Sequence, residues 1–250
     1  MKMSKNDEII NVTKSYLPPL EEYINEISIL WESHYLTNYG QLNNKLVNNI
    51  RDYLKIDNIH YVTNGTISLQ LALDALGIES GEIITTPFTY IATLSSILWQ
   101  RCVPVFVDID KKDFNIDVTK IEKKVTANTK AILAVHCFGI PCNVEEIDNI
   151  AKKYNLKVIY DAAHSFGTML NNKSILSHGD ISCCSFHATK VFHTVEGGLC
   201  VVNNDNVNKR MEAIKNFGIE NGNFAYIGLN AKNSELHAGM GLCVLRHIDE

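Results

Sequence analysis

Residues 183–198, Cys-Cys-Ser-Phe-His-Ala-Thr-Lys-Val-Phe-His-Thr-Val-Glu-Gly-Gly, set one lysine, Lys190, behind small and aromatic residues and ahead of an acid and two glycines. Most lysines are solvated at the surface, because an ammonium buried without a partner is costly, and Lys190 can be read that way. Its neighbours Ser185, Phe186, Ala188, Val191 and Phe192 favour a structured pocket instead. In such a pocket a lysine loses its proton easily and becomes a nucleophile able to condense with an aldehyde cofactor.

Asp161 closes the apolar run Lys-Val-Ile-Tyr-Asp and precedes Ala-Ala-His-Ser-Phe-Gly. A carboxylate at the end of a buried strand needs a positive partner, and a protonated pyridine nitrogen would serve. The alternative is a helix cap for Ala162 onward. Asn64-Gly65-Thr66 could hold a phosphate on a helix N-terminus, with glycine permitting close backbone approach, or could simply cap that helix. Tyr90, in Thr-Thr-Pro-Phe-Thr-Tyr, could stack on a flat heteroaromatic ring or pack in the core.

These residues must be held by regular elements. Short β-branched runs at 59–63, 82–86, 103–108, 130–136, 157–161, 181–186 and 199–203 alternate with amphipathic stretches, clearest at 68–76 and 144–154. That alternation predicts βαβ units and a mostly parallel sheet flanked by helices. In such sheets the ligand lies at the carboxyl ends of the strands, where all the suspicious residues fall. Residues 18–34 and 39–54 read as two helices outside the sheet, broken near Leu-Thr-Asn-Tyr-Gly, and residues 234–250 as a further helix.

With 250 residues, 46% apolar and 20% charged, the chain has the composition of one ordinary globular domain. A net charge of −5 without a polybasic run gives no indication of a nucleic-acid or anionic-membrane surface. No stretch of 18 apolar residues and no secretory signal is present, which predicts a cytoplasmic protein. The seven scattered cysteines lack paired C-x-x-C spacing and are expected to be buried and reduced. A metal site from His136, Cys137 and Cys142 is discounted, so no metal is expected.

Asn64-Gly65-Thr66, Tyr90, Tyr-Asp-Ala-Ala-His-Ser-Phe-Gly and Ser-Phe-His-Ala-Thr-Lys-Val-Phe-His-Thr-Val-Glu-Gly-Gly, in this order, resemble the DegT/DnrJ/StrS family of sugar-nucleotide aminotransferases. The resemblance implies the large domain of a fold-type I pyridoxal 5'-phosphate enzyme, similar to aspartate aminotransferase. It spans residues 1–250, with a helical N-terminal segment to about residue 57 and without the family's usual smaller C-terminal part. Apolar residues around Met240, Leu242, Val244 and Leu245 are then expected to be exposed.

By position, the resemblance implies Lys190 as the Schiff-base lysine and proton shuttle, Asp161 as partner of the pyridine nitrogen, and His164 as neighbour of the cofactor hydroxyl. Tyr90 would stack on the ring. Gly65, Thr66 and Ser185 would hold the phosphate, and Asn230 would cross a homodimer interface to the partner's phosphate. Glutamate would supply the amino group, and a dTDP-linked 4-keto-6-deoxyhexose would accept it, for cell-surface polysaccharide. The alternative is an idle relic that keeps cofactor binding and dimerisation. A dehydratase variant is disfavoured, because those members replace the lysine. Two departures stand out: Lys232-Asn233-Ser234-Glu235 where the family often has Lys-Met-Ser-Glu, and His193 where asparagine or threonine is common.

Overall fold

A computed structural model describes residues 11–250 of the chain. The part of the N-terminal segment that falls on residues 1–10 lies outside the described residues. Apolar β-branched runs form seven strands: β1 (Ile59–Val62), β2 (Gly81–Thr85), β3 (Cys102–Phe106), β4 (Thr129–Val135), β5 (Lys157–Asp161), β6 (Ile181–Ser185) and β7 (Gly198–Val202). They make one sheet of order β1-β7-β6-β5-β4-β2-β3. Only β7 runs against its neighbours β1 and β6; the other pairings are parallel.

Sheets of this kind are covered on both faces, so their central strands read as continuous apolar runs without alternation. Ile132, Leu133 and Ala134 of β4 are all fully buried. The helices are α1 (Leu20–Ile27), α2 (Ile29–Ser33), α3 (Gln41–Leu54), α4 (Gly65–Ala75), α5 (Ile91–Trp99), α6 (Val118–Ile121), α7 (Val144–Tyr154), α8 (Asp205–Ile214) and α9 (Glu235–Arg246). One core joins α3, α7 and α9 to the sheet, and the other joins α4, α5 and α8.

The C-terminal apolar residues correct an expectation. Met240, Leu242 and Val244 are buried and Leu245 is partly buried against the same core. A helix apolar on most of its circumference must be covered on several sides, and α9 is packed by α3 and α1. Its N-terminal Glu235 reaches into α3, where its carboxyl oxygens accept the backbone N–H of Leu42 (2.6 Å) and Asn43 (3.1 Å). All seven cysteines are free and buried.

Candidate active site

The carboxyl ends of β1, β2, β4, β5 and β6 meet at one edge of the sheet around a cavity of about 1060 Å³. Gly65, Thr66, Tyr90, Asp161, His164, Ser185 and Lys190, distant in sequence, all line it. Asn230 does not: it is exposed, and its Oδ1 accepts from Lys232 Nζ at 2.7 Å.

Each residue is placed by local chemistry. Asn64 adopts an extended backbone and its side chain accepts the N–H of Ile67 at 2.8 Å, so it is the N-cap of α4. The cap accounts for one orphan donor of the helix. The N–H groups of Gly65 and Thr66, in the first turn, have no partner within the helix. Capping and anion binding therefore coexist here. Helix α4 begins at Gly65, three residues earlier than the sequence pattern suggested, because the cap sits at Asn64. A Cβ on Gly65 would lie 2.9 Å from Ser185 Cβ, and one on Gly198 would lie 2.4 Å from the Asn64 carbonyl oxygen. Both glycines let the α4 N-terminus settle against the ends of β6 and β7.

Asp161 is 5% exposed. No helix follows it; the chain turns, and its Oδ1 accepts the N–H of Ala163 at 3.2 Å. Its Oδ2 accepts from the hydroxyl of Thr93 at 2.6 Å. Burial raises its pKa, against the opposing pull of the Thr93 hydroxyl, the Ala163 N–H, His164 and Lys190. Among the described residues it has no ion pair, so this buried carboxylate is suited to a cationic group entering the cavity.

Lys190 lies in a turn after β6, where its N–H donates to His187 O at 2.9 Å. Its side chain is partly buried, and desolvation lowers its pKa while Asp161 and Cys184 oppose the shift. Among the described residues it is the one lysine lining the cavity. Phe192, two residues on, is fully buried and stacks on Phe166 at 4.3 Å, joining the Lys190 turn to the turn after Asp161. The pKa of His164 is lowered by desolvation and by Lys190. Tyr90 is 79% exposed at the N-terminus of α5, so core packing does not account for it.

The sequence does not point to Thr93, and it offers His136 and Asn233 without assigning either to the cavity. Thr93 is on the first turn of α5, and only the fold brings it to Asp161. Since the single Thr93 proton goes to Asp161, Thr89 must donate to Thr93 Oγ1 across their 2.7 Å contact. His136 follows β4, lines the cavity and stacks on Tyr160 at 4.5 Å. Asn233, one of the departures from the family pattern, is buried and donates to Glu196 O at 2.9 Å, fixing the far end of the Lys190 segment. His136 Nδ1 accepts the Cys142 N–H, and among the described residues no group of three or more His, Cys, Asp or Glu side chains could hold a metal.

The donor set fits pyridoxal 5'-phosphate. It offers an anion cradle at the α4 N-terminus, a buried carboxylate for a ring nitrogen, an exposed aromatic at the rim and one amine of lowered pKa.

Comparison with known proteins agrees with this chemistry. Over 241 residues the chain is 48% identical to the dTDP-4-amino-4,6-dideoxy-D-glucose transaminase of Shigella dysenteriae, covering 96% of this chain and 65% of that protein. It is 36% identical to the GDP-perosamine synthase of Escherichia coli O157:H7, covering 92% of this chain and 64% of that one. The chain thus spans just under two thirds of these curated relatives. Among solved structures, DesI, crystallised with its TDP-sugar product, superposes with a TM-score of 0.92 at 30% identity, over 97% of this chain and 62% of DesI. The sheet is that of a fold-type I pyridoxal-phosphate transferase. Residues 20–250 match the DegT/DnrJ/EryC1/StrS aminotransferase family, pyridoxal 5'-phosphate enzymes to which this chain belongs.

Proposed function

We propose that this chain is the cofactor-binding large domain of an aminotransferase that moves an amino group from glutamate to the keto group of a nucleotide-linked 6-deoxyhexose. The observation that carries the reading is the convergence of Lys190 and Asp161 on one cavity beside the α4 N-terminus. When bound, pyridoxal phosphate supplies an aldehyde for the amine and a cationic ring that takes up an electron pair. The chain's residues do the rest. The lowered pKa of Lys190 keeps more of its Nζ as free amine, ready to attach the cofactor and then to carry the proton in each half-reaction. Asp161 holds a proton on the ring nitrogen.

His164, with its lowered pKa, is suited to a hydrogen bond with the ring hydroxyl. Tyr90, at the rim of the cavity, would lie against the ring and exclude water. The first-turn N–H groups of Gly65 and Thr66, with the Thr66 and Ser185 hydroxyls, bind the phosphate. Asn230 serves the phosphate of a second copy. That homodimer would also cover Trp99, Phe224 and Ile227, which are 73%, 83% and 93% exposed. A dTDP-linked sugar is favoured over a GDP-linked one by the higher identity to the Shigella relative.

The test is to mix the protein with pyridoxal phosphate, reduce with borohydride and map the labelled peptide, then assay amino transfer from glutamate to each nucleotide sugar. A label on Lys190 that Lys190→Ala abolishes is expected. A label on another lysine overturns the site, and a label without transfer favours the binding-only reading.

A further inference from the structure

We infer that His193 is a positioning residue that ties the N-terminal strap, residues 11–18, to the turn carrying Lys190. The imidazole is 1% exposed. Its Nε2 lies 2.7 Å from the carbonyl oxygen of Tyr16, and its Nδ1 accepts the N–H of Val195 at 3.3 Å. An acceptor on one nitrogen and a carbonyl at the other define the neutral ring with its proton on Nε2. One side chain thus links two segments 177 residues apart.

Both ends of this link need it. The strap has no helix or strand, and among the described residues the Tyr16 carbonyl makes its only hydrogen bond to the rest of the chain. At the other end, Val195 has φ +66, a left-handed conformation that a β-branched residue adopts only when its surroundings impose it. The bond from its N–H to His193 is one such constraint. Two others lie beside it: Thr194 N–H donates to Phe186 O at 3.0 Å, and Thr194 Oγ1 donates to Glu196 O at 2.8 Å. Lys190 lies three residues before His193, with Phe192 between them anchored on Phe166. Loosening His193 therefore frees the C-terminal side of the Lys190 turn.

The two bonds can be separated by substitution. Asparagine places a carbonyl near the position of Nδ1 and can keep the Val195 N–H in an Asx turn, but is too short for Tyr16. Glutamine places an amide N–H near the position of Nε2 and keeps Tyr16 while releasing Val195.

The primary readouts, taken on the protein without added cofactor, are limited proteolysis at Lys14 and Tyr16 of the strap and amide hydrogen exchange at Thr194 and Val195, whose N–H groups are bonded. His193→Asn should speed strap cleavage only, His193→Gln should speed exchange at 194 and 195 only, and His193→Ala should do both. The expected factor is roughly five- to tenfold, the loss of about one hydrogen bond. Unchanged cleavage in the Asn variant together with unchanged exchange in the Gln variant overturns the tether, even if the Ala variant fails to fold.

The claim that the tether positions Lys190 rests on the proposed function and has its own readout, the rate of pyridoxal-phosphate capture followed by near-visible absorbance. Capture should slow in His193→Gln and be preserved in His193→Asn. Equal capture in all folded variants overturns positioning. Failure of the wild type to capture the cofactor overturns the proposed function and leaves the exchange result standing.

Discussion

The hydroxyl of Thr93 donates to Oδ2 of Asp161 at 2.6 Å, and Thr89 donates in turn to Thr93. This relay is the strongest polar support of a carboxylate that burial pushes toward its neutral form. Thr93→Val keeps the shape and removes the donor. The Asp161 pKa should rise further, so less of it is ionised at a given pH. Amino transfer should fall roughly ten- to hundredfold, the worth of one hydrogen bond to a charged group, and the acid limb of its pH profile should move upward. A pH profile that falls in level without shifting would show that Thr93 acts only through packing.

Asp161→Asn tests the partner itself. An asparagine has one acceptor oxygen, which can keep the Ala163 N–H, while its NH2 group donates to Thr93 Oγ1 and the Thr93 hydroxyl turns to Thr89, so folding and some cofactor binding should survive. It cannot hold a proton on a ring nitrogen as a carboxylate can. Amino transfer should drop by roughly a hundredfold or more. Single-turnover kinetics with glutamate would measure this, and rates within a few-fold of wild type would remove Asp161 from the proposed role.

Much of this site was legible before the fold was known. Asp161 ends an apolar run and Lys190 stands among small and aromatic residues a few positions past another, and continuous apolar runs are what buried parallel strands require. Thr93 was not legible, since a threonine in an apolar helix is unremarkable until tertiary contacts supply Asp161, and Asn233 stood out only as a departure from the family pattern, with no role until the fold supplied Glu196. The α9 residues were misjudged for a related reason. Their cover comes from α3 and α1, helices whose patterns show an apolar face without showing what it faces. Packing partners across 200 residues leave no local trace in sequence.

Glu212 carries a pH dependence of stability away from the cavity. Burial pushes its pKa up, but hydrogen bonds and charge from His60 and Lys215 outweigh this and bring it down from 4.5 to about 2. Its oxygen Oε2 lies 3.1 Å from His60 Nδ1 and 2.8 Å from Lys215 Nζ. A carboxyl with a lowered folded pKa contributes stability that is complete above pH 4.5 and lost as pH falls toward 2. Glu212→Gln should therefore lower the thermal midpoint at pH 7 and have a much smaller effect near pH 3. An equal loss at both values would assign the effect to packing.

Glu235 is fully buried, and its carboxyl group caps α3 through Leu42 and Asn43. Two N–H groups at a helix N-terminus are satisfied by two oxygens of one side chain, and the helix dipole favours negative charge there. Glutamine has one acceptor oxygen, so Glu235→Gln leaves one N–H facing an NH2 group. It should cost about 1–2 kcal/mol, and Glu235→Ala about 3 kcal/mol. Gly40 is part of the same arrangement, since a Cβ there would lie 2.5 Å from Glu235 Cδ. Gly40→Ala should thus be destabilising in the wild-type chain and nearly neutral once Glu235 is alanine. Denaturant titration of the two single variants and the double variant measures the coupling directly. Additive losses would mean that Gly40 is required by something other than the carboxyl group it faces.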